Sequence, residues 1–208
     1  PLINLLTLGT ADAKETAAGA LWNLSFNANN RVAIAGAGAI PPLVTLLTSG
    51  TVGAKEKAAG TLGNLALNDK NQVSIAEAGA IPSLVNLLTS GTAIAKEKAA
   101  GALWNLAVNN DKNQVTIAEA GAIPPLINLL TSGTTDAKEN AAGALRNLAA
   151  NDKNKVTIAE AGAILPLVNL LTSGTAIAKE KAAGALRNLS KIGKLSDEIA
   201  TAKRDAGA

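Results

Sequence analysis

The sequence predicts an all-α solenoid of about five repeats, with three helices in each repeat. Three observations predict it. Strings recur almost word for word: AKEKAAG at 54–60, 95–101 and 178–184, AEAGAI at 76–81, 118–123 and 159–164, and LLTSGT at 46–51, 87–92, 129–134 and 170–175. The asparagine of the W-N-L, G-N-L or R-N-L triplet falls at Asn23, Asn64, Asn105, Asn147 and Asn188, spaced 41, 41, 42 and 41 residues apart. Alanine supplies 44 of the 208 residues, which suits helices in close contact. A period of this length with helical patterning marks stacked supersecondary units.

Each copy divides into three helices. The first is DKNQVTIAEA at 111–120, with Asp111 as the expected N-cap and Gly121 as its stop. The second is IPPLINLLTS at 123–132, with Pro124 and Pro125 in the first turn, where a missing N–H costs nothing, and Gly133 closing it. The third follows Thr134, an expected N-cap, and runs over about 135–149. At 1.5 Å per residue it is about 22 Å long. Asn27, Asn68, Asn109 and Asn151 are expected to stop the third helices, and the one extra residue of the longer step lies near Asn109 and Asn110.

Helical periodicity assigns the faces of the third helix. Leu103, Leu106, Ala99 and Ala102 cluster on one side, flanked by Ala100, and form the buried face. Glu97, Lys98, Gly101, Trp104 and Asn105 form the other face, which has no large aliphatic side chain.

The repeats are expected over 1–190. The first copy lacks its first helix, because Pro1-Leu2-Ile3 aligns with Pro42-Leu43-Val44. Residues 191–208 diverge and are expected to form a C-terminal helix, as a cap or the start of a sixth repeat. Uncapped ends of a stacked array leave apolar surface open, so head-to-tail self-association is expected. Near-identity of the copies fits an engineered or consensus-like array, and recent duplication in a natural gene equally well.

Composition excludes several classes of function. Cysteine, histidine, tyrosine and methionine are absent, and Trp22, Trp104 and Phe26 are the only aromatic residues. Thiol nucleophiles, histidine-based triads and most transition-metal sites are therefore out, and neither a cofactor nor a metal is expected. The net charge of +3 is mild and no stacking platform exists, so nucleic acid is not an expected partner. No apolar run of 18 residues exists, so no membrane insertion is expected. Lack of cysteine suits any compartment; a natural protein of this kind is expected in the cytoplasm or nucleus.

The motif G-A-I-P-P-L opening the second helix, and N-L closing the third, resemble armadillo repeats over residues 1 to about 190. The resemblance implies a right-handed superhelix whose third helices line a concave groove. It also implies that Asn23, Asn64, Asn105, Asn147 and Asn188 hydrogen-bond the backbone of an extended peptide or disordered segment of another protein. A side-chain amide has one acceptor and two donors, so it can pair with a peptide C=O and N–H. One departure is plain. Importin-alpha-type arrays carry tryptophan four residues before this asparagine, where this sequence has Gly19, Gly60, Gly101, Gly143 and Gly184. Binding of nuclear localisation signals is therefore not carried over. The phrase EKAAGALRNLS is closer to plant and protist arrays or to the beta-catenin branch.

The residue before the ladder asparagine varies: Trp22, Gly63, Trp104, Arg146, Arg187. As specificity positions, the tryptophans would hold apolar or cationic side chains and the arginines carboxylates or phosphates. Glu15, Glu56, Glu97, Glu139 and Glu180 form a carboxylate row, with Lys57, Lys98 and Lys181 beside it. No nucleophile converges on that row, so an enzyme is not expected and an ion-pair ladder is. A repeat scaffold with no cognate ligand is the alternative to peptide binding, and the asparagines then serve structure alone.

Overall fold

The computed structural model describes residues 1–207, and all regular structure among them is helical. The chain divides into two compact units, Pro1–Leu106 and the residues from Ala107 onward. The first unit holds α1 (Leu2–Leu8), α2 (Ala11–Leu24), α3 (Ala28–Gly36), α4 (Ile40–Ser49), α5 (Val52–Leu65), α6 (Asp69–Glu77), α7 (Ala80–Ser90) and α8 (Ala93–Leu106). The second holds α9 (Asp111–Glu119), α10 (Ile123–Ser132), α11 (Thr135–Leu148), α12 (Asp152–Glu160), α13 (Ile164–Ser173), α14 (Ala176–Leu189) and α15 (Gly193–Asp205).

The three helices expected from 111–120, 123–132 and 135–149 are α9, α10 and α11, within one residue at each end. Their caps are partly corrected. Asn110, not Asp111, caps α9, its side chain accepting the Asn113 N–H, and Asp111 sits in the first turn. Asn27, Asn68 and Asn151 do the same for α3, α6 and α12, so they start helices instead of stopping them. Asn109 caps nothing: it is the extra residue, turned into the left-handed region at φ 48. Asparagine tolerates that region better than most residues. Gly121 follows the last turn of α9 at φ 82, a conformation that a side chain would strain.

Each second helix packs along its third helix, and successive third helices pack side by side: α2 on α5 and α5 on α8 in the first unit, α11 on α14 in the second. Leu62, Leu65, Leu103, Leu106 and Leu145 are fully buried between them. Burying one such side chain stabilises the fold by about 2 kcal/mol. Small residues set the close approach. Ala18, Ala59, Ala100 and Ala142 have no exposed surface, and a Cβ on Gly63 would lie 3.3 Å from the backbone of Ala102.

A buried amide clamps α6 and another clamps α12. Asn71 Nδ2 donates to the Leu65 carbonyl at 3.1 Å and to the Arg31 carbonyl at 3.2 Å. Asn154 Nδ2 does likewise with Leu148 at 3.2 Å and Gln114 at 3.0 Å. These bonds tie each of the two helices to the end of the third helix before it and to the first helix of the preceding copy. No single helix among the described residues is long and apolar enough to cross a membrane.

Candidate functional site

The third helices α2, α5 and α8, and α11 and α14 in the other unit, carry the expected site residues. Threonine fixes where each begins. Thr51 Oγ1 accepts the Ala54 N–H at 3.1 Å and donates to Glu15 Oε2 of the preceding copy at 2.5 Å. Thr92 repeats the bond on Glu56 and Thr175 on Glu139, each at 2.5 Å. The carboxylate also lies at the positive end of the neighbouring helix dipole. Glu15, Glu56 and Glu139 are thus inter-repeat fasteners. The period held the signal: each threonine stands 36 residues after its glutamate.

Lysines complete the row unevenly. Lys57 Nζ reaches back to Glu15 at 2.7 Å, not to its own neighbour Glu56. Lys98 and Lys181 pair with the adjacent Glu97 and Glu180, at 2.7 Å and 3.1 Å. The Lys57 ammonium, seconded by the Thr51 hydroxyl, holds the Glu15 carboxyl below the usual carboxylate range. Lys181, followed by Arg146, does the same for Glu180.

The ladder asparagines Asn64, Asn105, Asn147 and Asn188 are half-buried, and Asn23 is exposed. One amide N–H has a fixed use. Asn105 Nδ2 donates to the Gly63 carbonyl and Asn188 Nδ2 to the Arg146 carbonyl, both at 2.9 Å. The acceptor lies 42 residues back, at the end of the preceding third helix. Asn64 reaches the corresponding carbonyl through Ser25: its Nδ2 donates to Ser25 Oγ at 2.9 Å, and that hydroxyl donates to the Trp22 carbonyl at 2.6 Å. The sequence indicated the row and its exposure but not this bond.

Glycine four residues before the asparagine is a seat. A Cβ on Gly60 would come within 2.9 Å of Trp22 Nε1. The indole of one copy therefore lies across the third helix of the next, where an importin-type side chain would begin. Beyond it, Lys98 Nζ stands 5.3 Å from the ring centroid, within cation–π range. Phe26 adds a tilted ring contact at 6.2 Å. Arg146 lies across Gly184 in the same way, with Cδ and Nε both 2.7 Å from the Cβ position. Its guanidinium meets Glu180 at 3.3 Å, the mutual neutralisation that their spacing allows. Trp104 is half-buried, and Arg187 is exposed with no ion pair among the described residues. Among the described residues, no group of three or more histidine, cysteine, aspartate or glutamate side chains could hold a metal ion.

The sequence model of the family described as Armadillo/beta-catenin-like repeat matches residues 27–67, 68–108, 110–150 and 151–191. A designed armadillo repeat protein, YIII(Dq)4CqI, superposes with a TM-score of 0.91 at 27% identity, covering 99% of this chain and 88% of that one. A second, YIII(Dq.V1)4CPAF in complex with the peptide (KR)4, gives 0.88 at 26% identity, with 99% and 88% covered. A third, described as computationally designed armadillo repeat proteins for modular peptide recognition, gives 0.89 at 28% identity, with 100% and 87% covered. No curated protein sequence matches the chain.

Proposed function

The chain belongs to the armadillo/beta-catenin-like repeat family, and from that premise we propose that it is a non-enzymatic peptide-binding module. Its ligand is an extended peptide or disordered segment of another protein, laid along the third helices. One observation carries this reading: a half-buried asparagine recurs at the same place in successive third helices. Asn105 and Asn188 each commit one N–H to the preceding copy. An amide has two donors and an acceptor, so the oxygen and the second N–H remain to pair with a peptide backbone. The committed bond also fixes the rotamer, which lowers the entropy lost on binding. Neighbours of the same fold support it, since one is bound to a peptide and another was designed for peptide recognition.

Side-chain choice falls to the variable positions. Arg146 is already neutralised by Glu180, which leaves the exposed Arg187 to take a peptide carboxylate. Lys98 occupies the cation position on Trp22, so a basic peptide residue must displace it there. Replacing Lys98 by alanine should strengthen binding of basic peptides and leave neutral ones unchanged, as titration of matched peptides would reveal.

The second reading, a scaffold with no cognate ligand, is favoured by the amide bonds between copies. Random-peptide display against the parent chain and an Asn64→Ala, Asn105→Ala, Asn147→Ala variant separates the two. Peptides enriched on a parent but not on a folded variant support recognition. No enrichment on the parent, or the same peptides on both, refutes it.

A further inference from the structure

Gly63 is a variable position with no role so far. Trp22, Gly63 and Arg146 stand at the same register, one residue before a ladder asparagine. Each is followed 38 residues on by a glycine of the next third helix: Gly60, Gly101 and Gly184. Trp22 lies across Gly60 and Arg146 across Gly184, and both glycines are buried. Gly63 brings no side chain, and Gly101 is half-exposed. Of these three seats, the chain leaves the one at Gly101 uncovered.

The seat belongs to the face that carries the ladder. Gly101 precedes Asn105 by one turn, on the same side of α8. Asn105 Nδ2 donates to the Gly63 carbonyl at 2.9 Å, and a Cβ on Gly63 would stand 3.3 Å from the Ala102 backbone. The floor is therefore pinned backbone, with α5 and α8 in close contact. Residues one turn earlier on α8 set its charge. Glu97 is 13% exposed and already holds Lys98 at 2.7 Å. The Lys98 ammonium extends to Trp22, 5.3 Å from the ring centroid. A second cation at Gly101 would be repelled by Lys98 and would compete with it for Glu97. An uncharged ring meets neither cost and can adopt the arrangement of Trp22 on Gly60.

We propose, on the reading that this face binds a peptide, that Gly101 floors a subsite for an aromatic side chain of that peptide. The ring lies flat on the bare backbone at Gly101, while the main chain beside it pairs with Asn64 and Asn105. The ligand is thus an extended segment with an aromatic residue at one fixed place. Gly63 determines that place, because it is the position from which the chain would otherwise cover the seat itself.

Peptides selected by random display on the parent chain are the probes. Each is titrated in three forms: as selected, with its aromatic residue replaced by alanine, and with that residue replaced by arginine. On the parent, the aromatic form should bind about fivefold or more tighter than the other two. Gly63→Trp lays an indole of the chain's own on Gly101, and Gly101→Gln raises a side chain through the floor. In each folded variant the preference for the aromatic form should vanish. Gly101→Gln decides alone if Gly63→Trp, whose Cβ would press on Ala102, fails to fold. Three results overturn the subsite and leave peptide binding standing: selected peptides with no recurring aromatic position, arginine bound as tightly as the ring, or an aromatic preference that survives in a folded variant. No peptide selected on the parent overturns both.

Discussion

Two kinds of side chain decide how copies meet at the scale of single residues. Trp22 lies on bare backbone at Gly60, and a methyl there would press on its ring edge. Alanine gains about 1 kcal/mol of helix propensity over glycine. Overpacking costs about 1–3 kcal/mol where nothing can move, but a half-buried ring can swing away. Gly60→Ala is thus expected to change stability by less than about 1 kcal/mol, while Trp22 fluorescence shifts to the red in a Trp104→Phe background. An unchanged spectrum would contradict the seat. Acid acts on the second kind of residue. The folded state holds Glu15 and Glu180 below the ordinary carboxylate value. Their contribution is therefore present at neutral pH and lost as pH falls through the folded values. Denaturant midpoints should drop from pH 7 to pH 3, and a Glu15→Gln, Glu180→Gln variant should show a shallower drop. Equal slopes would remove the lysine pairing from the account.

Helices are held by their ends as much as by their faces. Thr175 caps α14 and fastens Glu139 of the preceding copy. Its replacement by valine should cost about 1–2 kcal/mol, and serine should restore most of it, both read by chemical denaturation. Asn154→Ala should cost as much or more, about 1–3 kcal/mol, because a buried amide that bonds two neighbouring helices is lost. Hydrogen exchange should rise around α12 and the end of α11; full protection would contradict the clamp. These end contacts were the least legible part of the sequence. Helix positions were plain from apolar spacing and from glycine and proline, so α9, α10 and α11 fell where expected. The caps shifted by one residue because Asn and Asp are equally good caps and stand side by side in N-D-K-N. The buried role of Asn154 was hidden, since nothing in a polar heptad distinguishes an amide turned inward.

Across the whole molecule, near-identity of copies made the fold class legible, and the match to armadillo structures bears it out. The side chains that cross between copies were not legible. Trp22 over Gly60, or Asn105 on Gly63, depends on how third helices of neighbouring copies align, and periodicity within one copy carries no such information. For the same reason the absence of tryptophan at the glycine positions read as a missing box, although the indole of the preceding copy lies there. The central claim is that the asparagine row reads a peptide main chain. Its most direct measurement is a backbone N-methyl scan of a display-selected peptide, titrated against the parent chain. N-methylation at every second amide, facing an asparagine, should weaken binding about tenfold or more, about 1.4 kcal/mol, while side-chain replacement there does little. Unchanged affinity for every N-methylated peptide would contradict the claim and leave the row a structural device.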